Sequence, residues 1–180
     1  MILTERESRH EQVLHIARQM MTAARTAPKG KGVNVIEIAL VIDEDIKKLS
    51  EEMIAIHAEN GFKFFLRDAD NILNAECVLL IGTREHAHGL NCGYCGYSTC
   101  AERPIGVPCA IVSVDVGIAI GSACATAADH RVDTRVMFSA GLAAQRLGIL
   151  EGCKQVFAIP VSASSKNPFF DRKPKEQPKE

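Results

Sequence analysis

From Thr83 to Pro108 the hydrophobic periodicity that organises the rest of this chain stops. Glycine, proline, histidine and cysteine take its place. A stretch this long without a helical or strand pattern is unusual inside a compact domain and generally has a functional reason. The two flanks must therefore build one core around an irregular insert.

The upstream flank opens on Thr4-Glu5-Arg6-Glu7, which fits a capping box. Val13, Leu14, Ile16, Ala17, Met20, Met21 and Ala24 then recur at helical spacing, predicting a helix to about Thr26 that Pro28 ends. Lys29 to Gly32, "KGKG", reads either as a solvated turn or as a loop whose backbone N–H groups approach a phosphate. Val33 to Ile42 is rich in β-branched residues and predicts a buried strand. Asp43 caps a second expected helix through Ala58, closed by Asn60-Gly61. Phe62 to Leu66 reads as a short strand, "ADNILNA" as helical, and Cys77 to Ile81 as an apolar strand stopped by Gly82.

Downstream, Ala110 to Ala128 reads as a small-residue helix, in which Gly117, Gly121, Ala123 and Ala125 permit close approach of another backbone. Val136 to Leu147 predicts a further helix or strand–helix segment ended by Gly148, and Val156 to Val161 a last strand. The pattern implies an α+β fold with helices around a few strands. With 180 residues and neither an internal repeat nor a linker, the chain reads as one domain over 1–180. Residues 84–109 are its Cys-rich insertion, and the charged, proline-containing end, 173–180, is an expected disordered tail.

Basic and acidic residues balance to a net charge of -1, which gives no electrostatic case for nucleic acid. The N-terminus is charged too early for a signal peptide. The longest weakly polar stretch, Val107 to Ala128, contains Asp115 and several hydroxyl residues, and is expected to be a buried helix rather than a membrane span. A cytoplasmic protein with reduced thiols is the expectation, and an odd count of seven cysteines suits a disulfide framework poorly.

Four of the seven cysteines fall between Cys92 and Cys109, in the order C-x2-C-x4-C-x8-C. Such clustering points to a metal. Soft thiolates suit iron–sulfur clusters, and glycines at Gly93 and Gly96 allow the sharp turns that bring thiolates to one cluster. A four-cysteine zinc site usually pairs two C-x2-C knuckles, and only one is present. Cys92, Cys95, Cys100 and Cys109 are thus the candidate ligands of a four-iron (4Fe-4S) cluster, with Cys77 or Cys124 as alternatives to Cys109. His86 and His88 lie near enough to be substitutes, or are simply solvated loop residues. Cys153 reads as a small core residue.

"NCGYCGYSTCAE" resembles the four-iron cluster motif C-G-x-C-G-x-x-T/G-C of corrinoid iron–sulfur proteins and of the iron–sulfur subunit of Rnf-type electron-transport complexes. In those proteins the fourth ligand stands further along, where this chain has Gly117, so Cys109 departs from their pattern. Through "VPCAIVSVDVGIAIGSA", "VDTRVMFSAG" and "SKNPFFDR" the whole chain resembles a prokaryotic family described as containing a ferredoxin domain. "AARTAPKGKGVNVIEIALVID" and "LAAQRLGILEGCKQVFAIPVSA" resemble nitroreductases. That second resemblance implies a nitroreductase-like sheet flanked by helices, an intertwined homodimer and FMN at the subunit interface. The Arg-rich opening that grips the FMN phosphate in nitroreductases is echoed loosely by Arg6, Ser8 and Arg9; Lys29, Lys31, Lys166 and Arg172 are further candidate phosphate contacts.

Three functions follow as expectations. The first is a redox or electron-transfer protein with a 4Fe-4S cluster and an unidentified redox partner. The second is an FMN-dependent nitroreductase-like oxidoreductase, and the third a module held by a structural metal.

Overall fold

The computed structural model describes residues 2–170; the expected tail at 173–180 and Arg172 lie outside the described residues. Helix α1, Glu5–Thr26, starts at the expected capping box: the Glu7 carboxylate accepts from the Thr4 backbone N–H at 2.9 Å and from its hydroxyl at 2.6 Å. These two bonds hold the Glu7 pKa below the usual carboxylate value. After a single 3₁₀ turn at Gly30–Gly32 come strand β1 (Ile36–Ile42), helix α2 (Glu44–Asn60), helix α3 (Phe64–Ile72) and strand β2 (Cys77–Arg84). Beyond the Cys-rich segment lie α4 (Ala110–Asp129), the two-residue β3 (Asp133–Thr134), α5 (Phe138–Arg146) and β4 (Cys153–Ser162).

The strands form one antiparallel sheet in the order β1-β2-β4-β3. Strand β2 is central and buried on both faces, which is why its sequence is a continuous apolar run rather than an alternating one. Cys77, Leu79 and Ile81 join the core beneath α1 and α4; Val78 and Leu80 join a second core beneath α2, α3 and α5. The result is a sheet between two helical layers, within the expected α+β class.

Several local expectations are corrected. Phe62 to Leu66 is not a strand: Phe65, Ala69 and Ile72 recur at helical spacing and are buried together, so the apolar run begins α3. Gly82 does not stop β2, which continues to Arg84. A Cβ there would lie 3.0 Å from Val156 Cγ2 and 3.1 Å from Cys153 Cβ, so close packing against β4 favours the glycine. Strand β1 starts at Ile36, not Val33. Asp43 stands at the N-cap of α2 but makes no side-chain cap bond; its carboxylate lies 3.9 Å from His10.

Helix α4 is the least conventional element. Among the described residues it is long and apolar enough to cross a membrane by length and composition, and, against the expectation of a buried helix, only one third of that stretch is buried. Its Ala119, Ala123 and Ala127 pack against α1, and Ser122 Oγ donates to Ala23 O at 3.0 Å. A Cβ at Gly117 or Gly121 would meet no other atom within 4 Å among the described residues. Within one chain, therefore, no described backbone closes on these two glycines. Val114, Ile118 and Gly121 leave an apolar face exposed.

The close backbone approach occurs instead at Gly141 on α5, where a Cβ would fall 2.1 Å from Val156 O and 2.7 Å from Phe157 Cα. Neither partner is a flexible side chain. Gly141→Ala is expected to lose about 1–3 kcal/mol or more by pushing α5 off β4. Urea unfolding checks this; wild-type stability in the variant would show that the contact yields freely.

Candidate functional site

Strand β2 delivers the chain into the irregular segment at Arg84, and α4 receives it at Cys109, its N-cap residue. Among the described residues no helix or strand occurs between those points. What fixes the segment's base is a buried polar contact. His88 Nε2 lies 3.1 Å from Asp115 Oδ2, with the two side chains 1% and 3% exposed. The other oxygen, Asp115 Oδ1, accepts the Gly30 N–H at 2.9 Å. A carboxylate is acceptor-only, so it places the imidazole proton on Nε2. Nδ1 is then left as a buried acceptor with no partner among the described residues. Lys31 Nζ donates to the His88 carbonyl at 3.0 Å. One aspartate in an otherwise apolar helix thus ties the KGKG turn to the start of the Cys-rich segment. The close fit requires glycine at position 30, since a Cβ there would come within 2.9 Å of His88 Nε2.

The two lysines of the KGKG turn make contacts within the chain. Lys29 Nζ donates to the carbonyls of Arg25 at 2.7 Å and Ala27 at 2.6 Å, closing the C-terminal end of α1. Desolvation by burial, aided by the Arg25 charge, lowers its pKa. Lys31 uses one of its three donors on the His88 carbonyl.

The thiol loop is shaped by its own backbone. Gly93 and Gly96 take positive φ of 73° and 89°, and Gly96 N–H closes a turn on Gly93 O at 2.9 Å. Asn91, also at positive φ, accepts the Cys100 N–H on Oδ1 at 2.8 Å, which pins the third cysteine beside the start of the loop. Cys92 is exposed, Cys95 and Cys100 are half-buried, and Cys109 is buried with Val35 and Val112. All seven cysteines are free thiols.

The fit to a metal group has two sides. The donor chemistry matches, with three thiols on a tight loop and a fourth nine residues further on, well within chain reach. Yet among the described residues no group of three or more Cys, His, Asp or Glu side chains is gathered for a metal ion. Binding would require the loop to draw its thiols together, and the exposure of Cys92 leaves it room to move.

The alternative fourth ligands are poorly placed. Cys77 stands at the opposite end of β2 from Arg84, seven residues or roughly 23 Å along the strand. Burial pushes its thiol pKa up to about 12. Cys124 lies fifteen residues into α4 from Cys109, roughly 22 Å along the helix axis. Its pKa is also raised by burial. Cys153 pairs with Arg84 across the sheet but contributes to the opposite core.

Against Cys109 lies a small cavity that sequence reasoning missed, lined also by Arg84, Glu85, His86, Arg103 and Lys154. The Arg103 side chain is 8% exposed, and its Nε and Nη1 are buried without a hydrogen-bond partner among the described residues. The nearest carboxylate oxygen, Glu85 Oε1, is 3.9 Å from Nη1 and instead accepts the Gly106 N–H at 2.8 Å.

Solved structures similar to this chain include a nitroreductase with bound FMN from Desulfitobacterium hafniense (TM-score 0.60, 16% identity, 92% of this chain and 82% of that one). A second, from Bacteroides fragilis and also with bound FMN, has a TM-score of 0.61 at 11% identity, covering 89% of this chain and 82% of that one. The nitroreductase-like fold is thereby established. A family model described as an uncharacterised protein containing a ferredoxin domain matches residues 105–172, a stretch that includes Cys109 and begins just after the three loop cysteines. An uncharacterised protein of Archaeoglobus fulgidus is 39% identical over 186 aligned residues, spanning 98% of this chain and all of the relative. With likeness along its whole length and a matching family model, the chain belongs to the family of uncharacterised proteins containing a ferredoxin domain.

Proposed function

We propose that this chain is a redox protein that carries a four-iron cluster on Cys92, Cys95 and Cys100, with Cys109 as the fourth ligand. The observation that carries the reading is the loop itself: three thiols at C-x2-C-x4-C spacing, two positive-φ glycines between them, and Asn91 holding Cys100. The family description, with its ferredoxin domain, supports the same class. When bound, such a group accepts and releases single electrons at a potential set by its surroundings. Cys92, at the exposed edge, faces an external electron partner; the buried Cys109 anchors the inner side. Reduced thiols suit a cytoplasmic setting.

A second reading is favoured by the fold alone. Both nitroreductases named above hold FMN, so a flavin at a subunit interface would make the loop a relay. The engagement of Lys29 and Lys31 within the chain weighs against a phosphate site on the KGKG turn. A structural metal holding the loop is the third reading, under which the site would be redox-silent.

Anaerobically prepared protein separates the three. The cluster reading predicts a brown sample with broad absorption near ~400 nm that dithionite bleaches, and Cys95→Ser should remove most of it. Flavin released by heating would bring in the second reading. A colourless sample after reconstitution with iron and sulfide would contradict the first.

The homodimer is proposed from the open face of α4. A helix this apolar with a solvent-facing stripe of Val114, Gly117, Ile118 and Gly121 gains by burying that stripe against a second copy. Because a side chain at Gly121 meets nothing within the described chain, Gly121→Arg should leave circular dichroism and folding unchanged. Light scattering should then show dimer converted to monomer. A Gly121→Arg variant that remains dimeric would place the interface elsewhere.

A further inference from the structure

A larger opening lies at the end of β2 remote from the Cys-rich segment. It is a groove of about 500 Å³ between α1, α2 and the approach to β2. That volume falls in the range of small-molecule sites, about 300–1,000 Å³. Its apolar lining is Ile46, Ile54, Leu73 and Ala75, of which Ile46 is buried and Ile54 and Leu73 are exposed. The polar lining centres on His10, a half-exposed residue of α1. The Glu76 carboxylate lies 2.8 Å from His10 Nδ1, and the Glu76 backbone N–H donates to Val161 O at 2.9 Å, which fixes the residue on the sheet. A carboxylate is acceptor-only, so it takes the imidazole proton on Nδ1 and leaves Nε2 an acceptor in the neutral ring. Nε2 in turn lies 3.9 Å from Asp43 Oδ1, too far for a hydrogen bond. Asp43 makes no capping bond to α2, and its backbone stands at φ 50° and ψ −129°, where residues other than glycine are rare. Two acceptors therefore face each other across a gap that neither closes.

The charges of the lining say what could bridge it. Asp43, Glu51 and Glu76 stand against one lysine, Lys47, whose Nζ is paired with Glu44 at 2.9 Å. Arg9, near Glu76, is held by Glu5 at 2.6 and 2.7 Å. The groove thus combines an apolar wall with an excess of negative charge and two facing acceptors. We propose that it binds a small organic ammonium ion, its apolar body along Ile46, Ile54 and Leu73 and its nitrogen between His10 and Asp43. An ammonium group carries several N–H donors, so it can donate to Nε2 and to the carboxylate at once, the second bond being charge-assisted. A metal ion fits less well, because Glu76 and Asp43 lie against opposite ring nitrogens of His10 and cannot share one ion with it. An anion is repelled by the lining, and a purely apolar molecule leaves both acceptors unbridged. Binding involves no covalent step, and the inference does not rest on the four-iron reading.

The experiment is a titration of the full chain, followed by proton–nitrogen NMR, with phenethylamine, phenethyl alcohol and hydrocinnamate. These probes share one apolar body and carry a cationic, a neutral and an anionic head. The amine should bind most tightly and hydrocinnamate least, with shifted amides at Asp43, Lys47, Ile54 and Glu76. Asp43→Asn keeps the side chain's shape and removes its charge. It should weaken the amine about fivefold, a modest factor because the charge is exposed, and leave the alcohol unchanged. Added salt should weaken the amine alone. Ile54→Gln, at an exposed helix position, should weaken amine and alcohol alike. Circular dichroism checks the fold of each variant; if Asp43→Asn does not fold, the salt dependence and Glu76→Gln carry the decision. Equal affinity for amine and hydrocinnamate would overturn the proposal, as would shifts outside the groove or no saturable shift with any probe. Groove amides that respond to protein concentration instead of to the amine would show a second copy of the chain there, and would overturn it too.

Discussion

The double-sided burial of β2 is the constraint on which the rest of the structure depends. Five consecutive apolar residues, Cys77 to Ile81, serve two cores at once, odd positions toward α1 and α4 and even positions toward α2, α3 and α5. A one-residue slip would exchange the two sets and mismatch both helical layers. Full burial of each large aliphatic side chain is worth about 1.5–3 kcal/mol, so the register is firmly held. The same strand runs out of the core at Arg84, and the Cys-rich segment therefore begins from a rigid point rather than from a mobile linker.

The start of that segment is also tied to α4, by a different kind of contact. Asp115 bonds His88 and the Gly30 N–H inside a helix that is otherwise apolar. A buried polar contact of this kind contributes little net stability against a well-packed apolar substitute, but removing one partner leaves the other buried and unsatisfied. Its value here is positional: it locks three separate segments of the chain at the base of the loop. Beyond these anchors the loop's own turns leave Cys92 exposed and Cys95 and Cys100 half-buried. A firm base beneath one exposed and two half-buried thiols suits a segment that must close on a metal group without disturbing the core.

Much of this was legible in the sequence because the signals were local. The capping box at Thr4, the glycine after Asn60 and the spacing in α1 and α4 each depend on neighbours within one or two turns. The failures have physical causes. The run at Phe62–Leu66 is too short for periodicity to separate strand from helix, and burial of Phe65 with Ala69 and Ile72 decides for helix. Gly82 reads as a stop until β4 is in place, when Val156 and Cys153 show why a side chain does not fit. The partnership of His88 with Asp115 spans 27 residues, and its one sequence signal is an acid in an apolar helix. Arg103 gives no signal at all, because an arginine in a polar loop reads as solvated; only its burial and its unmade hydrogen bonds single it out.

The central claim is that the loop binds a redox-active iron–sulfur group, and stoichiometry with spin state tests it most directly. Iron and acid-labile sulfide should be determined on anaerobically reconstituted protein, with low-temperature electron paramagnetic resonance before and after dithionite. The account predicts about four irons and about four sulfides per chain and a signal that appears on reduction. Zinc in place of iron, or iron without sulfide and without a reducible signal, would contradict it.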